Sequence, residues 1–344
     1  VTTASVLAPT RPSALQSLFK RLVTVQTKEV PATIGVDVGS SAVKIVVLGR
    51  RKGNGARPLI AQEQILLSEH PEDLAGAIRA AIERLHLSTR SVALSVSGSS
   101  VIMRVVEMPM MNPADLKKAL PFEAQRYLPF PVQDVVLDGE ILSAIDAKKS
   151  WVLVVACKKD LIEQRLDLAK RAGLEVEVLD VDALALANAF LETGTAQRKA
   201  PTSAVVNVGA QLTSVVVFKG TTPYLVRDIP WGSERVVREL AQQLGCEASR
   251  IKQALKSPEA PAEIQEALKA ACESVVVELQ LSFDYFENQL GQPPEEVFVT
   301  GGLSQSAPFM AALKQHLTQN VVLWEPGAGI PGSCAVAFGL ALRV

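Results

Sequence analysis

Ile34-Gly35-Val36-Asp37-Val38-Gly39-Ser40-Ser41-Ala42-Val43-Lys44-Ile45-Val46-Val47-Leu48 and, 170 positions later, Ala204-Val205-Val206-Asn207-Val208-Gly209-Ala210-Gln211-Leu212-Thr213-Ser214-Val215-Val216-Val217-Phe218 read as one motif written twice. In each copy an apolar run carries a single polar side chain, turns at a glycine, and returns as a second apolar run. β-Branched residues fill both arms, which favours strands over helix. A glycine at such a corner frees the backbone to bring several N–H groups onto an anion. Two corners facing each other across a cleft would hold a polyphosphate from both sides.

The 344-residue length suits two domains or one bilobed protein. Hydrophobic residues at 48% against 21% charged exclude a disordered chain, and a net charge of -1 offers no field for nucleic acid. Cys157, Cys246, Cys272 and Cys334 form no CxxC pair, and three of them fall in apolar or helical patterns, which points to buried free thiols and a reducing compartment. His70, His86 and His316 stand apart from one another and from any ligand-spaced acid, so neither a zinc site nor a Ser-His-Asp hydrolase is supported. No apolar run approaches the roughly 18–20 residues of a membrane span.

Along the chain, residues 1–32 read as a leader. Val1–Arg11 has a disordered composition, while Leu15, Leu18, Phe19, Leu22 and Val23 keep helical spacing beside Lys20 and Arg21. That segment is either a helix packed on the body or an amphipathic helix on a membrane or partner surface. Residues 33–107 and 173–200 alternate strands and helix as the core of a first α/β lobe. Between them, residues 108–172 form a proline-punctuated insertion of β-α-β-β-α flavour. Residues 201–344 repeat the opening theme as a second lobe, with a helical subdomain around 232–290. Ala183–Phe190 and Ala335–Leu342 are two helices rich in small residues, suited to close packing as connectors between the halves.

Asp37 sits two residues before Gly39 on an otherwise apolar strand, where a carboxylate needs a cation or donors; it serves a metal-nucleotide or caps the turn. Ser40 and Ser41 donate to phosphate or satisfy the turn itself. Lys44 reads as a phosphate-side residue or an ion-paired surface lysine. Gly301-Gly302, after the strand Val297–Thr300, lets a ligand approach the backbone or makes a plain turn. Gly327-Ala328-Gly329-Ile330-Pro331-Gly332 matches GxGxxG formally but contains a proline and has no acid about 20 positions on, and no Walker-type GxxxxGK[ST] exists.

Two phosphate hairpins, a Gly-Gly after a late strand and two small-residue connectors resemble the actin-like ATPase superfamily, with its two lobes built on duplicated ribonuclease-H-like cores. Within it, Phe122-Glu123-Ala124-Gln125-Arg126-Tyr127-Leu128-Pro129-Phe130-Pro131, followed by Asp134-Val135-Val136-Leu137-Asp138, resembles the PilM family of type IV pilus assembly proteins, relatives of the division protein FtsA. The ending Ala335–Arg343 is similar to that family as well, and the resemblance spans roughly Thr33–Arg343.

The resemblance implies ATP between the lobes, with Gly39, Ser40 and Ser41 on one side of the phosphates and Gly209, Gln211 and Thr213 on the other. Gly301 and Gly302 would lie against adenosine, and Lys252, in Glu247-Ala248-Ser249-Arg250-Ile251-Lys252, near the base or ribose. Asp37 would meet Mg²⁺ through water. Asn207 replaces the superfamily's usual second aspartate, and a neutral amide supplies no charge to offset Mg²⁺ or orient an attacking water. Nucleotide binding survives that change better than turnover, so weak or absent hydrolysis is expected.

The same resemblance implies a scaffold on the cytoplasmic side of the inner membrane, attached indirectly through the N-terminal tail of a PilN-like membrane protein and through other pilus platform proteins. Homo-oligomers are compatible with it. The tail would lie between the first lobe and its insertion, near Phe122, Arg126, Tyr127 and Phe130, aromatics that core packing explains equally well. The alternatives are a small-molecule kinase of the same superfamily, an FtsA-like division tether or a secretion-platform component. A kinase needs a base for its acceptor hydroxyl, and no further acidic motif stands beside either hairpin in the sequence.

Overall fold

Two five-stranded sheets with the same strand pattern account for the duplicated motif. A computed structural model describes residues 32–50, 57–70, 72–87, 89–193, 198–327 and 329–343. The leader, residues 1–31, lies outside them. The first sheet runs β3 (Leu59–Leu66), β2 (Ala42–Gly49), β1 (Ala32–Val38), β4 (Ser91–Val96), β8 (Glu175–Val181). The second runs β11 (Thr222–Ile229), β10 (Thr213–Lys219), β9 (Thr202–Val208), β12 (Glu296–Thr300), β13 (Asn320–Leu323). Each joins an antiparallel three-stranded meander to two strands parallel to its centre. Val, Ile and Leu fill the central strands because helices or the opposite lobe cover both faces.

The two meanders match residue for residue at an offset of 170: Asp37 pairs with Lys44 across the first hairpin, and Asn207 with Ser214 across the second. Both corners close with the same bond, Gly39 N–H to the Ala42 carbonyl at 3.2 Å and Gly209 N–H to the Leu212 carbonyl at 2.9 Å.

Helix α1 (Leu74–Arg84) flanks the first sheet, and α4 (Asp182–Thr193) and α9 (Ala335–Ala341) are the small-residue connectors. They cross at Gly339, where a Cβ would stand 1.8 Å from the Ala185 carbonyl oxygen, so only glycine permits the contact. Farther along α4, the Phe190 ring lies 5.0–5.5 Å from those of Phe218, Phe298 and Trp324 in the second lobe. One hydrophobic core therefore runs from lobe to lobe. In the second lobe, α5 (Ser233–Gln243), α6 (Ala248–Lys256), α7 (Ala262–Leu290) and α8 (Ala307–His316) pack around the second sheet.

The insertion is a three-stranded antiparallel sheet of β5 (Val101–Pro109), β7 (Lys149–Lys158) and β6 (Val135–Ala144), with α2 (Pro113–Ala124) and α3 (Lys159–Arg171). Strand alternation assigns its two faces. Val152 and Val154 of β7 pack with Leu116, Leu120 and Ala124 of α2, whereas Leu153, Val155 and Cys157 join the first-lobe core. Residues 101–107, expected in the first-lobe core, instead form an outer strand of the insertion, because β5 pairs along its length with β7. Helix α2 continues through Pro121, one of the prolines that punctuate the insertion's sequence.

Candidate functional site

Asp37 is the last residue but one of β1, its side chain 6% exposed, and Lys44 Nζ donates to its carboxylate at 3.0 Å. Burial works against the Lys44 charge, but the Asp37 carboxylate outweighs it and holds the ammonium above its ordinary range. A Cβ on Gly39 would come within 2.9 Å of Lys44 Nζ, so the ammonium lies over the glycine corner. Ser40 and Ser41 are exposed beside it.

The structure adds two carboxylates that the sequence reading did not find. Asp182, first residue of α4, has its carboxyl pushed up to about 7 by burial and then by the nearby Asp37 charge, with the Ser95 and Ser97 hydroxyls opposing the shift. Asp228 on β11 accepts from Ser214 Oγ at 2.7 Å and, across the lobe boundary, from the Gly98 N–H at 3.3 Å. Burial raises its carboxyl, and those two donors hold it down. Asp182 thus sets a second carboxyl near Asp37, one that no acidic motif beside either hairpin announces in the sequence. The 170-residue offset was the missed signal for Ser214, the counterpart of Lys44.

Opposite, Asn207 is half-buried at the end of β9, level with Thr300 of β12. Gly301 follows with φ +98°, and a Cβ there would stand 2.5 Å from the Val208 carbonyl oxygen and 2.6 Å from Asn207 Oδ1. Its neighbour Gly302 is exposed, with open space around it. Gln211 is exposed and donates to Glu234 at 2.9 Å, and Lys252 is exposed on α6. Thr213, expected at the phosphates, is fully buried and donates to the Trp231 carbonyl at 2.8 Å, holding the corner from inside.

Two glycine corners, a third glycine with positive φ and one ammonium suit a phosphate chain. No group of three or more His, Cys, Asp or Glu side chains among the described residues is arranged to ligate a metal directly. A divalent cation held here would have the Asp37 carboxylate to meet it through water and phosphate oxygens as its direct ligands.

The residues expected at a partner groove fall on one side of the insertion's sheet. Phe122 is 76% exposed on α2, and Arg126 just beyond that helix pairs with Glu123 at 3.4 Å. Tyr127 is half-buried, and Phe130 carries Lys158 Nζ 4.2 Å over its ring. Lys158 shares strand parity with Val152 and Val154, on the α2 face. The seam between insertion and first lobe is on the opposite face. It holds a cavity of about 20 Å³ lined by Val96, Leu179 and Val181 of the lobe and Val136, Val155 and Cys157 of the insertion. The unbroken apolar run Trp151–Cys157 of β7 is its sequence signal, since a strand covered on both faces must separate two packing surfaces. Beside it lies the Asp180–Arg343 ion pair.

The insertion also touches the second lobe. Tyr224 of β11 shares a 2.8 Å hydrogen bond with Ser143 and meets the Trp151 ring edge-on at 6.3 Å.

A family model described as type IV pilus assembly protein PilM matches residues 35–343. Among solved structures, the chain is similar to a PilM-PilN type IV pilus biogenesis complex, with 25% identity and a TM-score of 0.76 over 90% of this chain and 98% of that one. It is also similar to the ethanolamine utilization protein EutJ from Carboxydothermus hydrogenoformans, at 16% identity and TM-score 0.57 over 93% of each chain. A third, MreB5 of Spiroplasma citri bound to ADP, shares 11% identity at TM-score 0.53 over 90% of this chain and 95% of that one. The last two bear on the fold alone, and they agree with its reading as actin-like.

Proposed function

Because the chain belongs to the PilM family of type IV pilus assembly proteins, we propose that it is a nucleotide-binding scaffold of a pilus assembly platform, holding ATP-Mg²⁺ between its lobes and the N-terminal tail of a PilN-like protein at its insertion. The carrying observation is the pair of equivalent glycine corners, closed by the same backbone bond, with Lys44 over one and Gly301 beside the other. Phosphates lie between Gly39, Ser40 and Ser41 on one side and Gly209 on the other, with Lys44 turning from Asp37 toward them. Lys252 and Gly302 border the nucleoside.

The solved PilM-PilN complex supports a PilN-like partner. Its tail enters the seam between first lobe and insertion, whose cavity is apolar and about large enough for one water, so binding parts the insertion from the lobe. No helix among the described residues is long and apolar enough to cross a membrane. In this reading, attachment to the inner face of the inner membrane runs through the partner.

Two titrations test this reading. Calorimetry with ATP-Mg²⁺ gives binding to the wild type and a loss of at least tenfold for Gly39→Val; equal affinity in a folded variant overturns the corner's assignment. Hydrogen exchange with a PilN-like tail peptide gives changes at residues 91–96, 135–158 and 175–181. Changes confined to residues 202–290 overturn the seam.

A further inference from the structure

A cleft of about 630 Å³ opens between the insertion and the second lobe, on the side of β5 that faces away from the rest of its sheet. Its volume is that of an ordinary ligand site. Val101–Val105 of β5 line it without a gap, and so do Tyr224–Asp228 of β11. Successive residues of a strand face opposite sides, so an unbroken run along a cleft means that the strand turns its edge to it. Both strands end their sheets, and among the described residues no strand pairs with the outer side of either. Their outward N–H and C=O groups therefore lack ladder partners. Two contacts span the cleft, Gly98 N–H to Asp228 at 3.3 Å and Tyr224 to Ser143 at 2.8 Å, so its walls are held before anything binds.

The side chains are equally specific. Ile102, Arg104 and Val106 share one face of β5. Arg104 is exposed and has no hydrogen-bond or ion-pair partner among the described residues. The other arginine of the cleft, Arg227, is already held by Glu278 at 2.6 Å and Ser282 at 3.1 Å. Its acid, Asp228, is engaged by Ser214 and Gly98. Leu281 and Tyr285, 54% and 50% exposed, form the wall on the α7 side.

We propose that this cleft takes an extended peptide segment of another protein, which pairs with the free edge of β5 and sets an acidic side chain opposite Arg104. Directly opposed residues of paired strands are neighbours on one face. Apolar side chains two positions to either side of the acid therefore meet Ile102 and Val106. The occupant is extended because the edge offers main-chain partners, and acidic because Arg104 is the one unpaired cation of the lining. It is a single segment because β11 and α7 wall β5 off from the edge of a folded sheet. Main-chain bonds supply the affinity and alternate side chains the specificity. The glycine corners and the seam take no part, so the proposal rests on neither.

Fluorescence anisotropy of the full chain with a labelled, end-blocked peptide of core Val-Thr-Glu-Thr-Val tests the site. The wild type binds it with a Kd of about 100 µM or tighter. Arg104→Glu weakens binding at least tenfold. A peptide with lysine in place of the glutamate prefers that variant to the wild type, a reversal that misfolding does not mimic. Methylating the backbone nitrogens on the pairing side of the peptide abolishes binding with every side chain intact. Hydrogen exchange slows at residues 101–109 on adding the peptide and is unchanged at residues 175–181 beside the seam. No wild-type binding at about 1 mM, equal affinity for the methylated peptide, or an unaffected Arg104→Glu overturns the proposal. So does protection confined to residues 175–181. ATP and PilN-like tail titrations of Arg104→Glu match the wild type, which separates failure here from failure of the scaffold reading.

Discussion

Arg343 Nε lies 3.0 Å from Asp180 Oδ2, with the two side chains 3% and 0% exposed. The penultimate residue of the chain thereby neutralises a carboxylate at the end of β8, beside the cavity between insertion and first lobe. Removing one member of a buried pair strands the other charge, at a cost of about 3–5 kcal/mol. Urea unfolding of Asp180→Ala and Arg343→Ala is expected to show a loss of that order in each. The double variant Asp180→Leu/Arg343→Leu, which buries no charge, recovers most of it. Equal losses in all three would mean that packing volume rather than charge matters there.

Asp182 links stability to pH. Its folded carboxyl, at about 7, lies above the ordinary value of 3.8, so between those limits the native state binds more protons than the unfolded chain. Its contribution is fully present below about 4 and is lost as pH rises toward 7. Thermal unfolding across that range is expected to fall more steeply with pH in the wild type than in Asp182→Asn. Identical slopes would place Asp182 in water.

Asn207 stands where the duplicated hairpin has Asp37. Asn207→Asp is expected to make ATP binding more dependent on Mg²⁺ and to raise hydrolysis from a wild-type rate below about 1 s⁻¹, the low end of ordinary turnover. Phosphate release by wild type and variant is the measurement. Wild-type hydrolysis above that rate would favour a motor or kinase. Asp182→Asn would then have to abolish it if Asp182 is the base.

Gly339 lets the two connectors touch. With a Cβ 1.8 Å from the Ala185 carbonyl oxygen, Gly339→Ala forces α4 and α9 apart, and overpacking of this kind costs about 1–3 kcal/mol or more. Chemical denaturation reads the loss. Because α4 also carries Phe190 into the second lobe, the variant is further expected to loosen hydrogen-exchange protection in both sheets rather than one. Protection lost only in the first lobe would show that the lobes unfold independently.

The amino-acid sequence by itself determined the local pieces: the duplicated hairpins, the α7 span Ala262–Leu290, the small-residue connectors, and Asp37 beside Gly39. Each was legible because the signal is short-range, a β-branched run broken at glycine or an apolar residue every three to four positions. Tertiary structure alone decided where those pieces meet. It turned Thr213 inward onto Trp231 and Ser214 toward Asp228, a difference of one residue on a strand whose faces alternate. It moved β5 into the insertion, since sheet membership follows from pairing with β7 some 50 residues later. It brought Asp182 into the reach of Asp37, 145 positions away in sequence. Finally, it set Phe122 and the seam on opposite faces of one sheet, so the most recognisable stretch of sequence lies across that sheet from the seam cavity. Periodicity assigns a residue to a face of its own element; which element covers that face depends on contacts between distant parts of the chain.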